Sequence, residues 1–146
     1  MALYTDRTIL LIDDEEILLR AMESTLQADG FTRILMCSDP RKVSITLGQN
    51  TVDLALLDLA MPHITGEDLL RTFTEEHPEI PVIVVTGFND VETAIRCTRH
   101  GACDYLVKPV EAGRLLTSVR SALEHRALRD ENTRLNRKLG AGKLDY

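Results

Sequence analysis

Four short segments of the sequence contain side chains whose types suit chemistry on phosphate. Asp13 with Asp14, then Asp58, Thr86 and Lys108 each follow a run of apolar residues directly. Carboxylates gathered in one crevice repel each other, each close pair by roughly 4 kcal/mol at 4 Å in a partly screened site, so a cation normally joins them. Oxygen ligands without histidine or cysteine favour a hard divalent ion, and so few carboxylates favour octahedral Mg²⁺ over Ca²⁺.

A magnesium site of this kind would in turn recruit phosphate. Lys108 offers a compact positive charge for a phosphoryl oxygen, and Thr86 offers a hydroxyl donor. Asp58 could then be the nucleophile, because aspartyl phosphate is a known type of covalent intermediate. Taken singly, each residue has an ordinary alternative: an Asp that ends a strand, acids that begin a helix, or a solvated lysine. Together they predict phosphoryl transfer to a carboxylate.

Five apolar runs alternate with five helical patterns, and these elements must position the candidate residues. The predicted strands are 8–12, 34–37, 52–57, 80–85 and 105–107, and the last helical pattern extends from about 111 to 139. Such alternation predicts a parallel sheet with helices on both faces and right-handed crossovers. With these connections the first, third, fourth and fifth strands end in one crevice, which would gather the candidate side chains.

Capping signals and apolar spacing predict the helix starts and the helix faces. The starts are expected at Ser38-Asp39-Pro40, at Thr65 with Asp68, and at Asn89 with Glu92. The side chains expected to face the core are Ile17, Leu18, Ala21, Met22 and Leu26 in the first helix, Leu69, Leu70 and Phe73 in the third, and Val91, Ala94 and Ile95 in the fourth.

The composition is that of one soluble globular domain. The 146 residues are 44% hydrophobic and 27% charged, and no apolar run approaches the roughly 20 residues that span a bilayer, so we expect a cytoplasmic protein with no membrane contact. A net charge of −6 argues against direct nucleic-acid contact by this segment. Cys37, Cys97 and Cys103 are widely spaced, which predicts buried small apolar residues rather than disulfides or a zinc site.

The arrangement resembles the response-regulator receiver domain. The matching motifs are DD at 13–14, D at 58, TG at 86–87 and KP at 108–109, each at the end of its own strand, and the resemblance covers about residues 5–125. It implies an α/β, flavodoxin-like (βα)5 fold: a doubly wound parallel sheet with strand order 2-1-3-4-5, followed here by an extended C-terminal helix.

The resemblance also implies a ligand set and a partner. Asp58 would be the phosphoacceptor, with Asp14 and Asp58 as direct Mg²⁺ ligands, Asp13 as a ligand through water, and the Ala60 backbone carbonyl completing the set. A sensor histidine kinase would donate the phosphoryl group. The domain would then be no enzyme beyond its self-catalysed phosphoryl transfer and autodephosphorylation.

Further roles follow from the same resemblance. Thr86 would be the switch hydroxyl that turns toward the phosphoryl group, Tyr105 the aromatic that follows it inward, and Lys108 the lysine that binds a phosphoryl oxygen. Tyr105 is equally well explained as an ordinary half-buried strand residue. Pro109 would follow a cis peptide bond.

Two positions that vary within the family bear on how long the phosphoaspartate lasts. Ala60, two residues after Asp58, offers no side chain to orient a water, and Phe88, two residues after Thr86, is apolar. We hypothesise that neither assists hydrolysis, which would make the phosphorylated form long-lived for this family.

Residues 126–146 are predicted to form a helical linker or short coiled coil with a frayed end at 140–146. Leu128, Asn132, Leu135 and Leu139 follow spacings of four, three and four, which is typical of a dimer seam with one polar position. A solvated helical linker is the alternative. The stretch resembles the linker of NtrC-type regulators, in which a receiver precedes an AAA+ ATPase acting on sigma-54 RNA polymerase. We therefore expect either a fragment of such a regulator or a short stand-alone one.

Three other functions fit the sequence less well. A dehalogenase-type phosphatase needs a second Asp two residues after its nucleophile, where this chain has Ala60. A flavodoxin-like FMN module needs a Ser/Thr/Gly-rich phosphate loop after the first strand, where this chain has acids. A receiver-shaped interaction module that is never phosphorylated is disfavoured by the complete set of acids and Lys108.

Overall fold

The protein is described by a computed structural model that covers the backbone of residues 4–144 and the side chains of residues 4–139. Five parallel strands form one sheet in the order β2-β1-β3-β4-β5. The strands are β1 Thr8–Ile12, β2 Arg33–Cys37, β3 Leu54–Leu57, β4 Val82–Thr86 and β5 Asp104–Val107. The helices are α1 Glu16–Ala28, α2 Val43–Gln49, α3 Gly66–Glu76, α4 Val91–Arg99 and α5 Ala112–Leu144, with a short 3₁₀ helix, Pro40–Lys42, before α2. The flavodoxin-like fold and its strand order are thus confirmed.

Each face of the sheet has its own apolar core, because successive residues of a strand point to opposite faces. On one face, Leu10 and Leu57 pack with Leu70 and Phe73 of α3. On the other, α1 and α5 cover the sheet. The residues buried there include Ile9, Leu11, Leu54 and Leu56 from the strands and Leu19, Leu26, Leu115, Val119 and Leu123 from the two helices. Strands buried on both faces explain the nearly continuous apolar runs of the sequence.

Two of the predicted helix starts are confirmed and one is wrong. Asp39 accepts a hydrogen bond from the amide of Arg41 at 3.0 Å, and Thr65 caps α3 by accepting from the Asp68 amide. At α4 the cap is Asp90, whose carboxylate accepts from the amide of Thr93 at 3.0 Å, rather than Asn89. Two adjacent residues could each cap this helix, and the path of the loop from β4 decides between them.

The predicted helix faces need correction in α1 and α4. Ile17 is 84% exposed, and Leu19 is buried in its place. In α4, Val91 and Ile95 are 72% and 46% exposed, while Thr93 and Cys97 are the buried residues. Spacings of three and four identify a helical stripe, but the tertiary contacts decide which of several overlapping stripes is covered.

One cysteine also differs from the prediction. Cys37 and Cys97 are buried, but Cys103 is exposed, in the turn that leads into β5. A turn residue with its backbone near the surface is commonly solvent-accessible whatever its side chain.

Helix α5 continues without a break past residue 125, where the receiver was expected to end. Arg126 donates to the backbone carbonyls of Val52 and Asp53, at 3.2 and 2.8 Å, so the helix is still attached to the start of β3 at this point. The expected fraying at 140–146 falls where no side chain is described, and Asp145 and Tyr146 lie outside the described residues. Within residues 4–144, no helix combines the length and the apolar character that a membrane span requires.

Candidate functional site

Four carboxylates meet at the carboxyl-terminal edge of the sheet. Asp13, Asp14, Glu15 and Asp58 each place an oxygen so that all four lie within 4.8 Å of one another. Asp13 and Asp58 are buried, whereas Asp14 and Glu15 are exposed. The structure therefore brings together the three acids that the sequence singled out and adds Glu15, whose only signal was its place in a run of four acids.

Strand register explains how Asp13 and Asp58 become neighbours. Ile12 of β1 pairs with Leu57 of β3, so the residue after each leaves the sheet at the same level. The amide of Asp58 donates to the carbonyl of Ile12 at 2.9 Å and extends this pairing by one step. Backbone hydrogen bonds thus hold side by side two residues that are 45 positions apart in the chain.

Local turns orient the two buried carboxylates. The amide of Glu15 donates to Asp13 Oδ1 at 3.0 Å, and the amide of Ala60 donates to Asp58 Oδ1 at 3.2 Å. Each carboxylate thereby has one oxygen bound to its own loop, while the other, Oδ2, faces the centre of the site. This is an Asx-type turn at both strand ends, the conformation that Asp favours in such loops.

Lys108 occupies the space between these oxygens. Its ammonium lies 2.7 Å from Asp13 Oδ2, 3.2 Å from Asp58 Oδ2 and 3.8 Å from a carboxylate oxygen of Glu15. The amide of Lys108 donates to the carbonyl of Thr86 at 2.8 Å, which joins the loops that follow β4 and β5. The peptide bond between Lys108 and Pro109 is cis, as the resemblance implied.

The charges in this site are not balanced. Four carboxylates and one ammonium leave a formal charge of −3 when all are ionised. Burial raises the pKa of Asp13, and hydrogen bonds from Lys108 and from the Glu15 amide offset only part of this effect. For Lys108, burial acts to lower the pKa, but the hydrogen bond and charge of Asp13, followed by the charge of Asp58, outweigh it, so the pKa is raised. The lysine therefore stays charged, and it is the single cation among four acidic side chains.

The donor set fits a hard divalent cation. The four groups offer only oxygen, two of them from exposed side chains that can reorient, and no histidine or cysteine belongs to the cluster. Magnesium prefers such oxygen ligands and retains several waters, so it needs few protein groups. The residues present therefore suit Mg²⁺ by charge and by ligand type.

Thr86 and Tyr105, the two predicted switch residues, both contact Phe88. Thr86 is fully buried at the end of β4, and its hydroxyl oxygen accepts from the Phe88 amide at a long 3.4 Å. The hydroxyl of half-buried Tyr105 donates to the Phe88 carbonyl at 2.6 Å. Burial, reinforced by nearby negative charge, raises the pKa of Tyr105 to about 12, so this hydroxyl keeps its proton. The sequence did not indicate that Phe88 joins these two side chains.

Gly66 is a further residue of the site that the sequence analysis did not identify. Its amide donates to the carbonyl of Leu59 at 3.1 Å. A Cβ at this position would lie 3.0 Å from the carbonyl carbon of Asp58, and closer still to the Asp58 carbonyl oxygen and the Leu59 Cα. The first turn of α3 thus packs directly on the backbone of the Asp58 loop, an approach that only glycine permits.

The predicted dimer seam lies on the projecting part of α5. Leu128, Leu135 and Leu139 are exposed apolar residues, and Asn132 is exposed beside them. Large apolar side chains at coiled-coil spacing on a solvated helix are expected where a second helix packs.

Comparison with known proteins places this geometry in a family. Residues 9–120 match the response regulator receiver domain. The chain is 39% identical over 127 residues to the C4-dicarboxylate transport transcriptional regulatory protein DctD of Pseudomonas aeruginosa. The aligned region covers 87% of this chain and 27% of that protein. The chain therefore spans about a quarter of the length of this curated relative.

Solved structures agree with the sequence comparison. NtrX from Brucella abortus superposes with a TM-score of 0.84 at 29% identity, over 92% of this chain and 30% of that one. The beryllofluoride-activated receiver domain dimer of NtrC4 superposes with a TM-score of 0.77 at 27% identity, over 82% of this chain and 98% of that one.

Proposed function

This chain belongs to the response regulator receiver domain family, and we propose that it is a phosphoacceptor switch in which Asp58 takes a phosphoryl group from a sensor histidine kinase. The observation that supports this most is the position of the Lys108 ammonium, 2.7 Å from Asp13 and 3.2 Å from Asp58. A fixed cation beside a buried carboxylate can hold the oxygens of an incoming phosphoryl group as negative charge develops there.

The proposed reaction transfers the phosphoryl group from a phosphohistidine. An oxygen of Asp58 attacks phosphorus, and the new P–O bond forms as the P–N bond breaks. The electron pair of the P–N bond stays on nitrogen, and the histidine leaves as a neutral imidazole because its other ring nitrogen carries a proton. Bound magnesium, held directly by Asp14, Asp58 and the Ala60 carbonyl and through water by Asp13, would supply positive charge at the phosphoryl oxygens. Lys108 donates to one of these oxygens, and its release from Asp58 Oδ2 frees that oxygen for attack.

The proposed switch acts through the loop that contains Phe88. The long hydrogen bond between Thr86 and the Phe88 amide is weak, so the Thr86 hydroxyl can turn to donate to a phosphoryl oxygen. Tyr105, bonded to the Phe88 carbonyl, would then change position with this loop. The change in charge at Asp58 would shift the population between two arrangements of α4, β5 and α5.

The proposed output is a change in self-association. Residues 5–125 would form the receiver and residues 126–146 a linker whose seam, Leu128, Asn132, Leu135 and Leu139, pairs with a second copy. The relationship to DctD supports an output in transcription, proposed to act through a sigma-54-dependent AAA+ domain. The solved structure of the NtrC4 receiver domain is that of a dimer, which supports a paired state for this chain.

Beryllofluoride, which mimics a phosphoryl group on an aspartate, tests the function without the kinase. With Mg²⁺, it is expected to change hydrogen exchange in α4 and the molar mass measured by light scattering. Asp58→Asn, which keeps the side-chain shape and removes the charge, should abolish both responses. A wild-type chain that stays folded and responds in neither measurement would refute the proposal and favour an interaction module that is never phosphorylated.

Magnesium alone is expected to raise the melting temperature, because it relieves the repulsion among the four carboxylates. At a concentration about ten times the dissociation constant the gain is about 1.4 kcal/mol, or a few degrees for a domain of this size. Asp14→Asn should reduce the gain, while Asp6→Asn, at an exposed acid outside the cluster, should leave it intact. An unchanged melt at millimolar magnesium would contradict the metal assignment.

Ala60→Asn is expected to shorten the lifetime of the phosphoaspartate. The side-chain amide of the new asparagine would lie beside Asp58, because the backbone amide of residue 60 already donates to Asp58 Oδ1. From there the side chain could orient a water for attack on phosphorus. We expect phosphate to be lost roughly tenfold faster than from the wild type. The loss is monitored by intact-mass measurement after the protein has been phosphorylated with a small-molecule donor. His63→Asn, at an exposed position of the same loop, is the control. Equal rates in Ala60→Asn and wild type would count against the hypothesis.

A further inference from the structure

Helix α4 has little apolar attachment to the rest of the domain. Its buried side chains are Thr93 and Cys97, both small, whereas α3 buries Leu69, Leu70 and Phe73. Because each fully buried large aliphatic or aromatic side chain contributes about 1.5–3 kcal/mol, burial fixes α4 on the sheet much less strongly than it fixes α3. The position of α4 therefore depends more on polar contacts than the position of α3 does.

The principal polar contact from the body of α4 is to α3. Arg96 donates through Nε and Nη2 to the same carboxylate oxygen of Glu67, at 3.2 and 3.0 Å. Nη2 also donates to the Thr93 hydroxyl at 3.2 Å, and that hydroxyl donates to Asp90, the cap of α4, at 2.6 Å. One guanidinium thus links the first turn of α3 to the first turn of α4.

The ion pair lies next to the acceptor loop, the loop after β3 that begins with Asp58. Glu67 follows Gly66, whose backbone packs against the Asp58 loop. Glu67 and Arg96 also line a hollow of about 410 Å³, together with Leu59 and Phe88. Open space beside the pair leaves room for α4 to move relative to α3.

We propose that the Arg96–Glu67 pair is a latch that holds α4 in the unphosphorylated arrangement. The proposal rests on the proposed function, in which α4 belongs to the elements that respond to Asp58. Phosphorylation must break this pair before α4 can move to its other arrangement, which we call the responsive arrangement. The latch therefore sets what fraction of the unphosphorylated protein already adopts the responsive arrangement.

The latch is weak enough to be a regulator rather than a structural support. The Arg96 and Glu67 side chains are 48% and 26% exposed, and solvent-exposed ion pairs contribute little to stability. Its loss should therefore shift the equilibrium of α4 by about two- to fivefold while the domain stays folded. A ligand that prefers the responsive arrangement would bind more tightly by the same factor.

Glu67→Gln tests the latch against a closely matched control. Asp68→Asn also removes one negative charge from the first turn of α3, but Asp68 pairs with Arg71 of its own helix at 3.2 Å. On the α4 side, Arg96→Gln is compared with Arg99→Gln in the same last turn.

The two latch variants, Glu67→Gln and Arg96→Gln, are expected to lose hydrogen-exchange protection in α4 by two- to fivefold. In the presence of Mg²⁺ they should also respond to beryllofluoride at two- to fivefold lower concentration than the wild type. The double variant should show no more than either single change.

The outcomes separate the latch from the proposed function. If Glu67→Gln and Asp68→Asn have equal α4 exchange and equal half-saturating beryllofluoride concentrations, the latch is refuted. If the wild type does not respond to beryllofluoride, the proposed function fails, and faster α4 exchange in the latch variants alone would still establish that the pair holds α4. If the wild type does not respond to beryllofluoride and α4 exchange is also unchanged in the latch variants, both the proposed function and the latch are refuted.

Discussion

Lys108→Met is expected to abolish phosphoryl transfer to Asp58 and, without metal, to lower the free energy of unfolding by about 3 kcal/mol. The ammonium contacts Asp13 and Asp58, two buried carboxylates whose remaining oxygens are bound by loop amides. Removing it leaves both charges without their main partner in a site of low solvent access, and breaking a buried ion pair by removing one member is costly.

Magnesium distinguishes the two roles of this lysine. The ion should restore much of the lost stability, because it can neutralise the same carboxylates, but it should not restore phosphoryl transfer, because the phosphoryl oxygen that Lys108 binds still lacks its donor. Thermal melts and intact-mass measurement after incubation with a small phosphodonor would measure the two effects. Lys138→Met, at an exposed position of α5, is the control. A Lys108→Met chain that melts and accepts phosphate like the control would contradict the assigned geometry.

Gly66→Ala is expected to be the most destabilising single-methyl addition that we predict, with a loss of about 3 kcal/mol and a fall of roughly 10 °C in melting temperature. The added Cβ would meet backbone atoms of Asp58 and Leu59, which cannot rotate away as a side chain could. Helix α3 would have to move off the loop, and the Asp58 carboxylate would lose its fixed position relative to Lys108.

Gly113→Ala provides the matched comparison. Gly113 also lies in a helix, but a Cβ there meets nothing within 4 Å, so alanine should be neutral or stabilising by about 0.5–1 kcal/mol through its better helix propensity. Thermal melts of both variants, with beryllofluoride titration of any that fold, would compare them. If Gly66→Ala melts within a degree or two of Gly113→Ala, the close approach of α3 to the acceptor loop is not a constraint in solution.

The sequence predicted the main acids and the lysine of the site because each lies at a strand end. Asp13, Asp58 and Lys108 follow apolar runs that alternate with helical patterns and therefore read as strands, and parallel strands connected by right-handed crossovers end at the same edge. Chain order and strand type were therefore enough to bring together residues up to 95 positions apart. The capping Asp39 and Thr65 were equally readable, since their hydrogen bonds reach only two or three residues along the chain.

The errors in the helix faces have a common cause. Ile17, Val91 and Ile95 lie on helical stripes that the spacing allows, but the buried side chains of these helices are Leu19, Thr93 and Cys97. A helix rotated by one position presents a different stripe, and the local pattern contains no information on that rotation when several stripes are similar. Asp90 in place of Asn89 is the same kind of error, an ambiguity of one residue that the loop resolves.

By itself the sequence determined the alternation of strands and helices, the order of the acids, the threonine and the lysine along the chain, and the chemical preference of their oxygens for a hard cation. These properties are local, since each depends on residue type and on neighbours within a few positions. The tertiary structure alone decided that Glu15 joins the acids, that Gly66 packs on the Asp58 backbone, that Thr86 and Tyr105 meet at Phe88, and that Arg96 reaches Glu67. Such contacts depend on distances of a few ångströms between separate elements, and these distances follow from how the whole core packs rather than from any one segment.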